Sequence, residues 1–519
     1  MLCFRILITC SRRTLSLIFT TLLLVGCASI DFDYPKSETT AFSDTSDTQL
    51  GRFTATGVDR NPGKAGFYPL VDGIDALGAR LILADRAERS IDAQYFLITD
   101  DLVGHLFLES LLRAADRGVR VRLLIDDIHT KGADPGLAAL NAHENVEVRL
   151  YNPFAHRTVR ALNAPSFGRV IRRMHNKSFT VDNQMTVLGG RNIADEYFDG
   201  SQEEKFRGLD VLAIGPLAND VSIMFDNYWN HKAAVPIYAL ASQPDAPDAA
   251  LRELFTKVTM SRAEVDETRY RDAVDHSIRK IIHEDLTAYI WAPYEFVFDS
   301  PDKTFSETSA NFQTIVKPVQ NSTRHAKQEL LVLSPYVVMR NREIEEFRRM
   351  RERGVEIAII TNSLASNNHT VSHSGYAPIR KPLIEMGVQL YEFKANTSVP
   401  GDSRVGVQSA KSTLHAKAFV VDRQKLFIGS FNWNQRSENV DTEMGVIIDS
   451  DILAEDFANR IVNIGRDHSF EVATDDAGRI LWKSRENGDE ITILKEPQTS
   501  AWQRFVAAFL SKLPIKGEL

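Results

Sequence analysis

The sequence predicts an α/β protein in which one folding unit is used twice. Three observations lead there. At 519 residues the chain exceeds what one hydrophobic core organises, so two domains or one large duplicated unit are expected. Runs of strand character alternate with helices of similar length, which implies parallel pairing and an α/β class. A strand, a helix and a strand of the first half then return in the same order in the second. The composition, 43% hydrophobic and 25% charged, is that of a globular chain and argues against a long disordered tail. A net charge of −8 leaves no basic excess to neutralise phosphates, so nucleic acid is not expected as a partner.

The elements follow in order. Arg5, Arg12 and Arg13 precede an apolar run from Leu15 to Val25. Residues 1–26 therefore read as an export signal, the run being short for a membrane span; an uncleaved anchor helix is the alternative. Leu24-Val25-Gly26-Cys27 resembles the bacterial lipobox, which implies acylation of Cys27 and a lipid anchor in the cell envelope facing the periplasm. Ala28, where an Asp would retain such a protein, favours the outer membrane. Cys3 and Cys10 lie in the removed peptide, so Cys27 becomes the mature chain's only cysteine and no internal disulfide forms. Residues 27–65, rich in Ser, Thr, Asp and Gly, read as a tether.

The first unit spans 66–320. Its strand SIDAQYF is followed by a helix from Leu102 to Arg117, a stop at Gly118 and the strand VRVRLLID. Residues 196 to about 320 read as connection plus sheet edge, with a charged helical stretch and the aromatic strand AYIWAPYEFVF. The second unit spans 321–519. ELLVLSPYV, the helix Arg342 to Arg353 and RERGVEIAIITNS repeat the earlier series.

Each unit carries the same motif at the same offsets. Within 169–196, MHNKSFTVDNQMTVLGGRN holds His175, Lys177, Asp182 and Asn192; within 409–436, LHAKAFVVDRQKLFIGSFN holds His415, Lys417, Asp422, Ser430 and Asn432. Both read as a strand, a turn and a return strand. Residues i and i+2 of a strand share a face, so each His and Lys point into one site, with Phe179 and Val181, or Phe419 and Val421, running on into the core. Cleaving a phosphodiester without a metal needs a nucleophile, a proton donor for the leaving oxygen and fixed positive charge on the other oxygens. Two histidines and two lysines supply these. No cofactor and no metal is expected, and Asn192, Asn432 and Ser430 are candidate phosphate-binding groups. Asp182 and Asp422 complete the motif and are counted with its His and Lys in the catalytic group, though at the strand–turn junction their expected part is to hold the hairpin through Asx-type hydrogen bonds.

The repeated H-x-K-x4-D with its downstream Gly-[Gly/Ser]-x-Asn resembles the phospholipase D superfamily over about residues 70–510. That resemblance implies a duplicated fold of two α/β lobes with mixed sheets and one shared active site on a pseudo-twofold axis. RRMHNKSF, HSGYAPIRKPLIEMGVQLYEF and EPQTSAWQRF look most like bacterial cardiolipin synthases of the C type. The implied chemistry is a phosphohistidine released by water or by an acceptor lipid. The implied partners are membrane phospholipids, phosphatidylglycerol with phosphatidylethanolamine as a possible second. His175 is taken as nucleophile and His415 as general acid, with the reverse open. An acid downstream of each motif orients the histidines in the family; Asp210 in FRGLDV and Glu443 in DTEMGV are the candidates. Plain hydrolysis to phosphatidic acid and a non-catalytic lipid-binding lipoprotein are the alternatives.

Two further features bear on lipid. Arg157, Arg160, Arg169, Arg172 and Arg173 interleave with Leu162, Phe167, Val170 and Ile171 just before the first motif, either as a grip for an anionic headgroup with the apolar side chains touching the bilayer, or as a solvated loop. Trp502, Phe505, Val506, Phe509, Leu510 and Leu513 fall on one helical stripe, the mark of a docked helix or of a membrane foot.

Overall fold

A computed structural model describes residues 29–198, 204–265, 278–283, 285–305, 312–396, 411–486 and 489–512. Cys27, the export segment and Leu513 lie outside them.

Two mixed sheets face one another. The nine strands of the first run, edge to edge, Ile290–Ala292, Ala65–Leu70, Asp210–Ile214, Met185–Gly189, Ser178–Val181, Ser90–Tyr95, Arg120–Asp126, Val146–Tyr151 and Ala234–Pro236. Only the neighbours Ser90–Tyr95, Arg120–Asp126 and Val146–Tyr151 are parallel. The ten-stranded second sheet repeats the scheme, with Glu329–Leu333, Glu356–Asn362 and Gln389–Phe393 as its parallel set. The alternation expected from sequence is thus parallel in the strand–helix–strand part of each unit and antiparallel in the motif hairpins. Every residue of Ser90–Tyr95 is buried, because helices cover both faces of this sheet. Its polar face, Ser90, Asp92 and Gln94, is buried as well, with Asp92 paired to Arg122 (2.7 Å).

Helices Gly73–Arg86 and Leu102–Asp116 cover the outside of the first sheet, and Val316–Arg324 and Asn341–Glu352 the outside of the second. Pro216–Asn230 and Asp451–His468 fill the space between the sheets, where Met224, Trp229, Phe457 and Ile461 join strand side chains of both lobes in one apolar core. The layers are therefore helix, sheet, helices, sheet, helix. Asp101 caps Leu102–Asp116 by accepting from the Gly104 N–H. Gly118 (φ 89°) and Gly354 (φ 86°) end the corresponding helices in the left-handed conformation that an L side chain resists.

The chain changes sheets at Pro293: Ile290–Ala292 closes one edge of the first sheet and Tyr294–Phe298 opens an edge of the second. The lobes therefore divide upstream of the expected 320. Nor is the tether free over its expected length. Arg149 donates to the Ser37 carbonyl (2.6 Å), Arg122 to that of Thr39 (2.8 Å) and Lys36 to that of Ala234 (2.7 Å), strapping this segment to the first lobe before helix Gln49–Arg60. No helix among the described residues is long and apolar enough to cross a membrane.

Candidate active site

The two motifs meet because each lobe's motif is hydrogen-bonded to the other lobe. The His175 N–H donates to the Thr442 carbonyl (2.9 Å), and the His415 N–H to the Arg207 carbonyl (2.9 Å). Parallel strands Glu204–Arg207 and Lys411–Leu414 add a two-stranded sheet across the seam. His175 and Lys177 lie just before strand Ser178–Val181 rather than within it, as His415 and Lys417 lie before Ala418–Val421. Each ammonium folds back to donate to its own histidine's carbonyl, at 2.6 Å from Lys177 and 2.8 Å from Lys417. Phe179 and Val181 then enter the outer core of the first lobe, and Phe419 and Val421 that of the second.

Around His175 the structure builds a carboxylate cradle. Its Nδ1 lies 2.9 Å from Oε2 of Glu443, a fully buried side chain of the opposite lobe. The Ser430 hydroxyl donates to the same oxygen, and the Ser437 hydroxyl to the other at 2.6 Å. Asp299 accepts from the Glu443 N–H (2.9 Å) and pairs with Lys303 (2.8 Å), which also donates to the Ser437 carbonyl. Ser430, expected on phosphate, is thus spent on Glu443. Burial pushes the Glu443 carboxyl up to about 7, with Lys177 pulling the other way.

His415 has different company. Its ring stacks on Phe206 (5.2 Å, 13°) and meets Tyr197 edge-on (4.9 Å), while Lys417 Nζ lies 3.1 Å from its Nδ1. Asp210 does not orient it. That carboxylate is fully buried against Arg80 (2.9 Å) and the Arg191 N–H (3.1 Å). Sheet register gives the reason: Gly189 pairs with Asp210 and Gly429 with Gly445, so Asp210 corresponds to Gly445. Two residues earlier, Gly208 stands where the other half has Glu443, and Phe206 where it has Asp441.

Asp182 and Asp422 sit at the far ends of their strands, away from both histidines. Asp182 accepts from the N–H groups of Glu88, Arg89 and Ser90, and Asp422 from those of Lys327, Gln328 and Glu329. They fasten each hairpin to the loop entering the neighbouring strand, in place of the expected Asx bonds within the hairpin, and take no place in the catalytic group. Asn192 donates to the Tyr197 hydroxyl (2.9 Å). The amide oxygens of Asn192 and Asn432 are buried without a partner among the described residues, so turning either amide end for end directs its NH2 there instead.

Burial, with Lys177 and Lys417 close by, holds both histidines well below the usual imidazole value. Burial also lowers Lys177 to about 7 and Lys417 well below its usual range, the latter helped by Lys177. Four basic groups packed this closely, with Glu443 as the one carboxylate among the described residues hydrogen-bonded to them, are suited to receive an anion. A phosphodiester entering here restores charge to the lysines and aligns a lone-pair nitrogen on one side with a proton donor on the other. Sequence reasoning missed Tyr197, Phe206, Asp299, Lys303 and Ser437. It also missed Phe96, whose ring touches both His175 (5.0 Å) and the rim residue His129 (5.1 Å). Phe206 and Gly208 were visible by setting FRGLDV beneath DTEMGV; the connector residues carried no signal.

The arginine-rich loop faces inward. Arg157 pairs with Asp127 (2.7 Å) and with Asp134, Arg160 reaches the Ile128 carbonyl, and Arg169 the Pro153 carbonyl (2.9 Å). Arg172 donates to the Lys303 carbonyl (3.2 Å), and Arg173 is fully buried against the Asn152 carbonyl and Asp126. Neither a headgroup grip nor a solvated loop describes these side chains. Of helix Ala501–Leu510, only Ala507 is buried. Among the described residues no three metal-ligating side chains converge.

Two motif histidines from paired lobes, a lysine beside each and an acid on one define a phospholipase D-like enzyme. The family model "Cardiolipin synthase, PLD-like domain" matches residues 81–229 and 321–464, and the chain belongs to that family of phosphatidyltransferases. Cardiolipin synthase C of Escherichia coli K12 is 39% identical over 471 residues, covering 88% of this chain and 97% of its own. An uncharacterised protein of Helicobacter pylori 26695 is 29% identical over 500 residues, 94% of this chain and 96% of its own. The crystal structure of phosphatidylserine synthase from Haemophilus influenzae Rd KW20 aligns with a TM-score of 0.57 over 91% of this chain and 100% of its own; at 13% identity it shows the shared fold.

Proposed function

We propose that the protein makes cardiolipin from phosphatidylglycerol and a second phospholipid through a phosphohistidine on His175. The hydrogen bond from His175 to Glu443 carries the assignment. A carboxylate at Nδ1 holds the proton there and leaves the Nε2 lone pair free to attack phosphorus. As Nε2 bonds to the phosphorus of the donor lipid, the bond from phosphorus to its headgroup oxygen, of glycerol or of ethanolamine, breaks and His415 gives that oxygen its proton. The acceptor is the headgroup hydroxyl of phosphatidylglycerol. The acceptor hydroxyl then loses its proton to His415, attacks the same phosphorus and frees His175. Lys177 and Lys417 neutralise the non-bridging oxygens throughout, with Asn192 and Asn432 as added donors. Membrane association in a bacterial envelope follows from this substrate class, and acylated Cys27 supplies an anchor on the periplasmic side.

The test is incubation of the full-length protein with labelled phosphatidylglycerol, with and without phosphatidylethanolamine. Labelled cardiolipin is the expected product. Its absence under both conditions overturns the synthase reading, and free phosphatidic acid as the main product replaces it with hydrolysis. Binding of lipid without any turnover would leave a lipid-binding lipoprotein.

A further inference from the structure

With all five arginines turned inward, the loop before the first motif presents carbon to solvent. Val159, Leu162 and Phe167 are 54%, 40% and 56% exposed. On the second lobe, Trp502, Phe505 and Phe509 are 70%, 59% and 56% exposed, on one face of helix Ala501–Leu510 at i, i+3 and i+7. Trp502 and Phe505 stack on each other (5.6 Å) and touch no other ring among the described residues. Isolated exposed apolar residues are ordinary; two clusters of large ones are not.

Both clusters sit on elements tied to residues near the site. The first-lobe loop is fixed through Arg160 to the carbonyl of Ile128, the neighbour of His129, and its last arginine, Arg173, lies two residues before His175. Helix Ala501–Leu510 packs on helix Thr370–Tyr376, which begins directly after His369. His129 and His369 are near enough to influence each other's charge. The N-terminal strap reaches this region as well, since Arg169 lies over the Phe32 ring (5.2 Å). Five residues separate Phe32 from Cys27, about 17 Å at full extension. The described chain therefore begins beside the Phe167 loop.

We infer that Val159, Leu162 and Phe167 on one lobe and Trp502, Phe505 and Phe509 on the other are two feet that seat the protein on a phospholipid bilayer, with the active-site opening between them. The contact is apolar insertion, because the neighbouring arginines are committed to the fold. The inference rests on the substrate being a membrane phospholipid. It adds that the substrate enters from the bilayer surface.

Trp502 reports on the contact directly, the other four tryptophans being buried or half-buried. Full-length protein is mixed with phosphatidylglycerol/phosphatidylethanolamine vesicles carrying brominated acyl chains. Trp502 emission, isolated by difference from Trp502→Phe, is expected to be quenched, and to change less than about twofold between 0.1 and 1 M NaCl, since only charge contacts are screened. The variants Leu162→Ser/Phe167→Ser and Phe505→Ser/Phe509→Ser are expected to lose roughly tenfold or more of turnover on vesicles. On short-chain phosphatidylglycerol dispersed in detergent they keep wild-type turnover. Unquenched Trp502, quenching abolished by salt, full turnover on vesicles, or equal losses on both substrates each overturn the inference. Quenching needs no chemistry, so a protein that is quenched yet makes no cardiolipin keeps the docking surface and loses the synthase reading.

Discussion

The two half-sites share His, Lys, Asp and Asn at matching offsets, yet the walls around their histidines differ in kind. His175 leans on Glu443, itself held by two serine hydroxyls and by Asp299 through its backbone. At the corresponding places His415 has Gly208 and the flat face of Phe206. A carboxylate fixes a tautomer and stabilises the positive charge the ring acquires as its nitrogen gains a bond to phosphorus. Burial and the two lysines hold both rings neutral until an anion arrives, and His415, with aromatic walls in place of a carboxylate, suits a group that takes up a proton with substrate and passes it on. The frame is symmetric, and a few positions leading into strands Asp210–Ile214 and Met444–Asp449 set the two half-sites apart.

The largest expected effects break that division outright. His175→Ala is expected to abolish both turnover and acid-labile covalent labelling by phospholipid. His415→Ala is expected to cost about 10²–10⁴ in turnover of phosphatidylglycerol, the usual range for a lost general acid. It should still turn over a nitrophenyl phosphodiester, whose leaving group needs no proton. If that substrate rescues His175→Ala and not His415→Ala, the roles are reversed.

Next comes the carboxylate. Glu443→Gln keeps the shape and removes the charge, and a loss on the order of 10³-fold in kcat with little change in KM is expected. Phe206→Ala on the other side is expected to cost about tenfold at most, since an aromatic contact is worth ~0.5–1.5 kcal/mol. Losses of equal size would erase the distinction between the half-sites. The charges also set a pH profile. Glu443 takes up a proton as pH falls through about 7, so kcat falls on the acid side. Lys177 loses its proton as pH rises through about 7, so KM for the anionic lipid rises on the alkaline side. Lys177→Arg, whose guanidinium stays charged, is expected to flatten the alkaline limb and leave the acid limb in place.

Much of this was legible in the chain because it is local or periodic. The strand and helix series, and the His and Lys of each motif, follow from spacing within short windows. What was hidden depends on contacts across long separations. Asp299 and Lys303 support Glu443 from a connector with no pattern of its own, and Pro293 gives no sign that the chain changes sheets there. The arginine loop misled for a related reason. Sequence shows five cations near a motif but not the Asp127, Asp134 and backbone carbonyls that absorb them. Asp210 misled because nearness along the chain stood in for register: an acid two residues off in a paired strand belongs to another partner.

The smallest expected effect separates frame from chemistry. Asp182 and Asp422 each accept three backbone N–H bonds far from the histidines, so their conservative replacement should change stability and leave kcat within about twofold. Asn keeps one acceptor oxygen and loses the charge. At Asp182, fully buried, the expected cost is about 1–2 kcal/mol; at Asp422, where two of the three amide partners are exposed, about half of that. Urea unfolding midpoints of Asp182→Asn and Asp422→Asn, read beside their kcat values, check both statements. A large kcat loss without a stability change would return these aspartates to the catalytic group, and equal stability losses would show that burial does not distinguish the two frames.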